Sequence, residues 1–600
     1  MEGIFTPPDG TAVNHPNLTR AILANADARG GQPCLRFFRD GGWRDLSWRE
    51  VGERVAAYAR GLATLGRRPG ERIAIISGNR PEWALADLAG LAAGTQVVGV
   101  YATLPDADMA FILRHAACRT AFVETPELAA RLSALRPQLP ALEQIITLSG
   151  SSEARAGVLD LPALAAKAEG RGPLPGCAAG GDDAALVIYT SGTTGEPKGV
   201  ILTHRNILAT LAAVAAAFGD VSRLRLNLSF LPLAHALERI AGHFLPLVQG
   251  HTIAYARSLD TVADDFRAVR PDFAVAVPRV FEKIYARIHA QVQAKPAAAQ
   301  ALFRWAVQAG TRRSQYLERG QMVPSALAVR WAVADLLIFR AIRARLGGRL
   351  RFFVSGGAPL SAAIARFFHA AGILVCEGWG ATETSAPSTW NTPSAYRFGS
   401  VGRALPGVEV RLAADAELEV RGFNVFLGYL DNPAATAEAF TPDGFWRSGD
   451  IGRRDDDGFF YITDRKKELI VTAGGKNIAP QKLENLLREQ PFISHCLVHG
   501  DRRPYVVALL TVDRATLAAA HPELAQAPLE DERLQQLLAV QVEEVNRQLA
   551  RFEQIKAFRV LESDFTVESG ELSQSMKLKR RVVEERYRHL LDDMYLREKG

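Results

Sequence analysis

The spacing of apolar residues changes character along the chain, and each change predicts an element. Val51, Val55, Tyr58, Leu62 and Leu65 recur at alternating steps of four and three until Gly66, which is the buried face of a helix. Ser47 and Glu50 supply a capping box at its start. Residues 34–47 read as a hairpin turning at Asp40-Gly41. Beyond it, β-branched runs at 72–77, 96–102, 119–124 and 145–148 alternate with helical stretches at 81–93 and 106–117. That alternation predicts right-handed βαβ units and a parallel sheet covered on both faces. The fold class is therefore α/β, with doubly wound sheets.

Residues 150–183 are rich in Gly, Ala and Pro and read as a surface connection, after which 184–189 resumes as a buried strand. From about residue 410 the pattern shifts to short strands and tight turns, a smaller barrel-like part. After residue 467 a new mixed segment begins, with a helix at 480–488, strands at 495–499 and 506–512, and a long helix at 531–551. The stretch Ala84 to Leu104 is the nearest approach to a membrane span, yet Asp87, Gln96 and several Gly and Thr residues interrupt it. It reads as a buried helix followed by a buried strand.

Composition narrows the classes. The 600 residues are 48% hydrophobic and 23% charged, which is ordinary for a globular chain and excludes a disordered one. A net charge of +6 with no long basic block gives no reason to expect nucleic acid and suits small anionic substrates. The five cysteines lie far apart without a CxxC pair, against a zinc knot or a disulfide framework. The first residues lack the basic and apolar regions of a secretory leader, so a cytoplasmic location is expected.

The most informative run is Tyr189-Thr-Ser-Gly-Thr-Thr-Gly-Glu-Pro-Lys-Gly-Val200, directly after a predicted buried strand. Hydroxyls at Thr190, Ser191, Thr193 and Thr194, backbone freedom at Gly192 and Gly195, and the cation of Lys198 make a loop able to wrap a polyphosphate. It lacks the Walker A spacing. This run resembles the phosphate loop of the AMP-forming adenylating superfamily, which includes acyl-CoA synthetases, peptide-synthetase adenylation domains and beetle luciferases. Five further segments match in the family's order: Val354–Leu360, Glu377–Glu383, Gly444–Asp450, Asp464–Ile470 and Gly570–Lys577.

The resemblance implies an architecture and roles. The domain from 1 to 463 would form the adenylate, 464–467 would be a hinge, and 468–600 a small mobile α+β lid. Gly356, Gly357, Ala358, Glu377 and Trp379 would meet adenine, with Trp379 standing where the family more often has Tyr or Phe. Asp450 and Arg465 would hold the ribose. Thr382 would bond the α-phosphate and Glu383 would help hold Mg²⁺. Lys467 would be the pivot, Lys577 the catalytic lysine of adenylation, and Gly474, Gly475 and Lys476 the wall of a tunnel for CoA. Met576 stands where the family commonly has glycine, which leaves Lys579 as a rival to Lys577.

The segment Leu226–Arg239, with Pro-Leu-Ala-His at 232–235, and the segment Glu468–Pro480 resemble the long-chain acyl-CoA synthetase branch. His235 would act in switching between half-reactions. The expected reaction joins a fatty acid to AMP with release of pyrophosphate, then transfers the acyl group to CoA, using ATP and Mg²⁺. A ligase that loads a carrier protein and a non-enzymatic lipid- or nucleotide-binding relic stay open, as do a homodimer and peripheral contact with the inner face of a membrane.

Overall fold

The computed structural model describes residues 15–150, 158–168, 170, 172–190, 197–219, 224–573 and 576–596. Among them, one sheet has eight strands in the order Gly428–Tyr429, Lys198–Thr203, Ala184–Thr190, Gln96–Val100, Arg72–Ile76, Thr120–Val123, Gln144–Thr147 and Val158–Asp160. The strands from Ala184–Thr190 onward are parallel, while Lys198–Thr203 returns antiparallel through the phosphate-loop run.

A second, nine-stranded sheet has a parallel centre running from Pro33–Arg39 through Thr252–Tyr255, Leu226–Ser229, Phe273–Ala276 and Phe352–Ser355 to Leu374–Ala381. Antiparallel strands close both of its edges. The helix Pro81–Ala92 is buried along almost its whole length because sheet and neighbouring helices cover it. Its Gly90 permits close approach, since a Cβ there would lie 2.4 Å from Ile73.

The capping box forms: Ser47 Oγ accepts from Glu50 N–H at 3.2 Å and the Glu50 carboxylate accepts from Ser47 N–H at 2.8 Å. Such a cap is worth about 1 kcal/mol. Two expectations need correction. Residues 158–166 are not a surface connection but an edge strand, Val158–Asp160, and a helix, Leu161–Ala166. Leu164 is fully buried, and its carbonyl would sit 2.3 Å from a Cβ on Gly61. A few leucines anchor a segment whose small residues otherwise read as loop. The long helix expected over 531–551 ends at Asn546, because that side chain turns to exchange two hydrogen bonds with the backbone of Ile555.

The barrel-like part is a four-stranded antiparallel sheet, Val408–Leu412, Glu417–Gly422, Trp446–Arg454 and Phe460–Arg465. After it the chain enters a small α+β unit around Ile493–His499, Val506–Val512 and Ile555–Val560. This unit has its own core, including Leu483, Leu487, Leu534 and Leu538. It meets the large part through Arg279, which donates to Ser494 Oγ at 2.7 Å, and through Arg488 and Glu282 at 3.8 Å. Among the described residues no helix is long and apolar enough to cross a membrane.

Candidate functional site

Thr190 and Lys198 are paired across the antiparallel strands that bracket the phosphate-loop run. Ser191, Gly192, Thr193, Thr194 and Gly195 lie outside the described residues. The Lys198 ammonium stands 4.9 Å from the centre of the Tyr429 ring, whose hydroxyl donates to Glu383 Oε1 at 2.9 Å. Tyr429 therefore couples the lysine of one expected segment to the carboxylate of another. The sequence offered only a Gly-Tyr pair before an Asp-Asn-Pro turn, which reads as ordinary loop.

Thr382 and Glu383 occupy a single 3₁₀ turn, Thr382–Thr384, between two antiparallel strands. Ser385 and Ala386 follow at φ +53° and +76°, an uncommon pair of left-handed residues without glycine. The strands approach so closely that a Cβ on Gly380 would lie 1.6 Å from the Ala386 carbonyl oxygen. Backbone strain of this kind persists only where surrounding structure fixes it, and such places cluster at ligand sites. Burial pushes the Glu383 carboxyl up, opposed by the Tyr429 hydroxyl and the charges of Arg465 and Lys198.

The segment Gly356–Ala358 leaves the strand Phe352–Ser355, and Gly357 takes φ +86°. Glu377 does not stand open to the cleft: it is buried, and its Oε1 accepts from Leu360 N–H at 2.9 Å, which ties this turn to the next strand. Burial pushes its carboxyl up to about 8, so it is protonated at neutral pH. Trp379 is also buried, and its indole N–H donates to Asp450 Oδ2 at 2.7 Å. Arg465 Nε donates to Asp450 Oδ1 at 2.9 Å, from the directly opposed position of the neighbouring strand. Each Asp450 oxygen keeps a further lone pair for an external hydroxyl.

Lys577 reaches this corner. Its Cε lies 3.9 Å from the position a Cβ on Gly357 would take. The side chain stays exposed, but partial desolvation by the protein around it, together with the charge of Arg465, pushes its ammonium down to about 8. Asp450, Glu468 and Glu383 act in the opposite direction. Lys579, also exposed, stands instead at the N-cap of the helix Arg580–Arg586. Met576, at the position read as a departure from glycine, adopts φ +61°, so the backbone keeps the left-handed geometry that glycine favours.

His235 lies in a turn beyond the strand Leu226–Ser229. Its Nδ1 accepts from Leu237 N–H at 3.2 Å, and burial with the charge of Lys577 pushes it down to about 4, so it is neutral at pH 7. The next residues enter a π-helical stretch, Glu238–Phe244, all of it buried. There Arg239 donates to Asp87, His243 Nε2 lies 3.1 Å from the same carboxylate, and Arg239 rests 5.1 Å from the Trp83 ring. This buried ion pair fixes the turn that carries His235 and was not read from the sequence. A Glu-Arg pair in an apolar run gives no hint that its partner lies 152 residues earlier.

The expected pivot and tunnel residues are elsewhere. Lys467 is exposed in the turn just after Phe460–Arg465, while its neighbour Lys466 bonds Glu417 Oε2 at 3.0 Å. Gly474, Gly475 and Lys476 form the exposed tip between Ile470–Val471 and Asn477–Ile478, with Lys476 Nζ 5.9 Å from the Phe552 ring.

Gly357, Asp450, Arg465 and Lys577 lie together at one corner, and Tyr429 joins Lys198 to Glu383. The chain belongs to the AMP-binding enzyme family: residues 23–430 match the AMP-binding enzyme family and 467–599 its C-terminal domain. It is an adenylate-forming enzyme of the acyl-CoA ligase type and binds ATP. It is 36% identical, over the full length of both chains, to long-chain-fatty-acid–CoA ligase FadD15 of Mycobacterium bovis. It is 31% identical to human long-chain-fatty-acid–CoA ligase 6, covering 94% of this chain and 85% of that one. Among solved structures, the adenylation domain of a carboxylic acid reductase from Segniliparus rugosus, in complex with AMP and a carboxylic acid, matches at TM-score 0.78 and 22% identity, covering 98% and 96% of the two chains.

Proposed function

We infer that this chain activates a long-chain fatty acid and passes it to CoA. The reading is carried by one observation: Lys577 of the C-terminal unit shares a corner with Gly357, Asp450, Arg465 and His235 of the large part. In the first step a carboxylate oxygen attacks the α-phosphorus of ATP, a P–O bond forms, and the bond to pyrophosphate breaks. A weak nucleophile meeting a polyanion needs positive charge where negative charge shifts. Lys577 supplies it from the lid and Lys198 from the phosphate-loop strand. Asp450 holds the ribose hydroxyls, and neutral His235 meets the acyl carboxylate without adding charge.

Mg²⁺ fits the donor set. Glu383 offers hard carboxylate oxygen beside Tyr429 and Lys198, which matches an ion shared between one carboxylate and substrate phosphates. Bound there, it would neutralise phosphate charge.

In the second step the CoA sulfur bonds the acyl carbon, AMP leaves with its oxygen, and the thiol proton passes to solvent. The exposed tip at 474–476 would face the cleft only after the lid turns about Lys467, in the manner of domain closures that serve two half-reactions. The mostly apolar run around His235, including the buried Phe230, Leu231, Leu233 and Ala234, suits an alkyl chain, which gains about 0.8 kcal/mol per buried methylene.

A panel of straight-chain acids from short to very long, with ATP, Mg²⁺ and CoA, tests the reading by AMP release and by thioester detection. AMP and acyl-CoA should appear in equal amounts, with a preference for long chains. Adenylate accumulating unless a carrier-protein thiol is added would favour the carrier-loading reading instead. Absence of acid-dependent exchange between pyrophosphate and ATP would reject both.

A further inference from the structure

A helical run far from the described cleft residues in sequence leaves one apolar face uncovered. It comprises Ser325–Ala334, the π-helical stretch Asp335–Phe339 and Arg340–Arg345. Its inner stripe is satisfied: Trp331 donates to the Ala370 carbonyl at 2.9 Å, and Ala334, Phe339 and Ile342 are buried. On the other side Val329, Val333, Leu336 and Leu337 are 64%, 44%, 65% and 52% exposed, and Met322 just ahead is 93% exposed. Steps of four, three and one put the four helical residues on a single stripe.

The charge around this stripe is as uneven as its hydropathy. Residues 297–351 hold ten arginines against Glu318 and Asp335, a net of eight positive charges where the whole chain nets six. Both acids are already engaged, Asp335 with Arg343 at 2.5 Å and Glu318 with Arg366 at 3.9 Å. Arg330 and Arg340, exposed on the same helix as the stripe, have no carboxylate partner among the described residues.

We propose that this face docks the protein in the plane of an anionic lipid bilayer, with Val329, Val333, Leu336 and Leu337 entering the acyl boundary and Arg330 and Arg340 meeting lipid phosphates. An apolar stripe edged by arginines is the arrangement of a helix that lies in a membrane interface. A nucleic acid would satisfy the arginines but leave four aliphatic side chains in water. A second copy of this chain would set two arginine-rich faces against each other. The proposal is independent of which acid or acceptor the enzyme uses.

Vesicle flotation of the full chain tests it, with vesicles of phosphatidylcholine alone and of phosphatidylcholine containing phosphatidylglycerol. The parent should float with the anionic vesicles, less at high salt, and stay behind with the neutral ones. The triple variant V329D/L336D/L337D should lose at least about tenfold in partitioning, with its melting temperature and its pyrophosphate exchange with a short water-soluble acid unchanged. Should that variant fail to fold, R330E/R340E alters only exposed side chains and should lose anionic-vesicle binding in the same way. A parent that ignores anionic vesicles, or folded variants that float as well as the parent, would overturn the proposal. A parent that dimerises through this face without floating would overturn it in favour of a second copy.

Discussion

The Asp450 corner and the loop that carries Lys577 meet but are held in opposite ways. At the corner, both oxygens of Asp450 are engaged by Trp379 and Arg465, and the supporting strands run through the sheets. The lysine loop rides on a unit with its own core, passes through a left-handed methionine, and presents an exposed lysine. A carboxylate held from two sides and a lysine carried on a separate unit teach where each kind of damage should register. Damage to the first, the floor, should weaken the nucleotide in any lid position, and damage to the second, the arm, should strike only the step for which the arm is in place.

The largest effect should come from the arm. Lys577→Ala removes a cation from the point where charge shifts and should slow adenylation by about 10²–10³-fold, while thioester formation from supplied acyl-AMP stays within a few-fold of the parent. Pre-steady-state measurement of both half-reactions checks this. Equal losses in the two would erase the distinction between floor and arm.

Next comes the floor. Trp379→Phe keeps an aromatic face but deletes the N–H on Asp450, a hydrogen bond to a charged group worth about 1.5 kcal/mol. The KM for ATP should rise roughly tenfold, with kcat little changed. An unchanged KM would mean that stacking alone accounts for the residue and that Arg465 suffices to orient the carboxylate.

The two regions were unequally legible before the structure. The helix at 48–64 with its cap and the parallel strands of the first sheet could be read because local spacing and turn chemistry determine them, whereas the site segments were read from their resemblance to a known family. Trp379 was legible as an aromatic beside a base, but not as a donor to Asp450, because that contact joins residues 71 positions apart. Tyr429, Asp87 and Arg239 escaped for the same reason: each acts through a partner brought by sheet topology, and each looks ordinary in its own window. Small residues misled in the other direction at 158–166, where two buried leucines outweigh the glycine- and alanine-rich composition around them.

A pH profile sharpens the comparison with a smaller change. Lys577 is held down to about 8, against an ordinary 10.5, so most of its positive charge is present at pH 7 and is lost as pH rises through about 8. For adenylation, kcat/KM reports the free enzyme and should fall above that value, approaching tenfold per pH unit. Lys577→Arg, slower in absolute rate because its fork differs in shape, should lose this alkaline limb, since guanidinium stays charged. His235, held near 4, should contribute no limb in the neutral range. A limb that persists unchanged in the arginine variant would assign the titration to another group.

The smallest effect concerns how the arm is bent. Met576 holds φ +61°, a conformation that costs an L-residue roughly 1–2 kcal/mol and glycine almost nothing. Met576→Gly removes that strain but gives the unfolded chain extra freedom worth roughly 0.5–1 kcal/mol, so the net gain should be about 0.5 kcal/mol. Hydrogen exchange over residues 570–579 should slow slightly, with adenylation held at or just above the parental rate. Met576→Ala serves as the control, because it deletes the side chain while leaving the φ penalty in place. If the glycine variant exchanges faster and adenylates more slowly while the alanine variant does not, backbone stiffness at 576 rather than relief of strain keeps Lys577 in position, and the arm is less freely detachable than its exposure suggests.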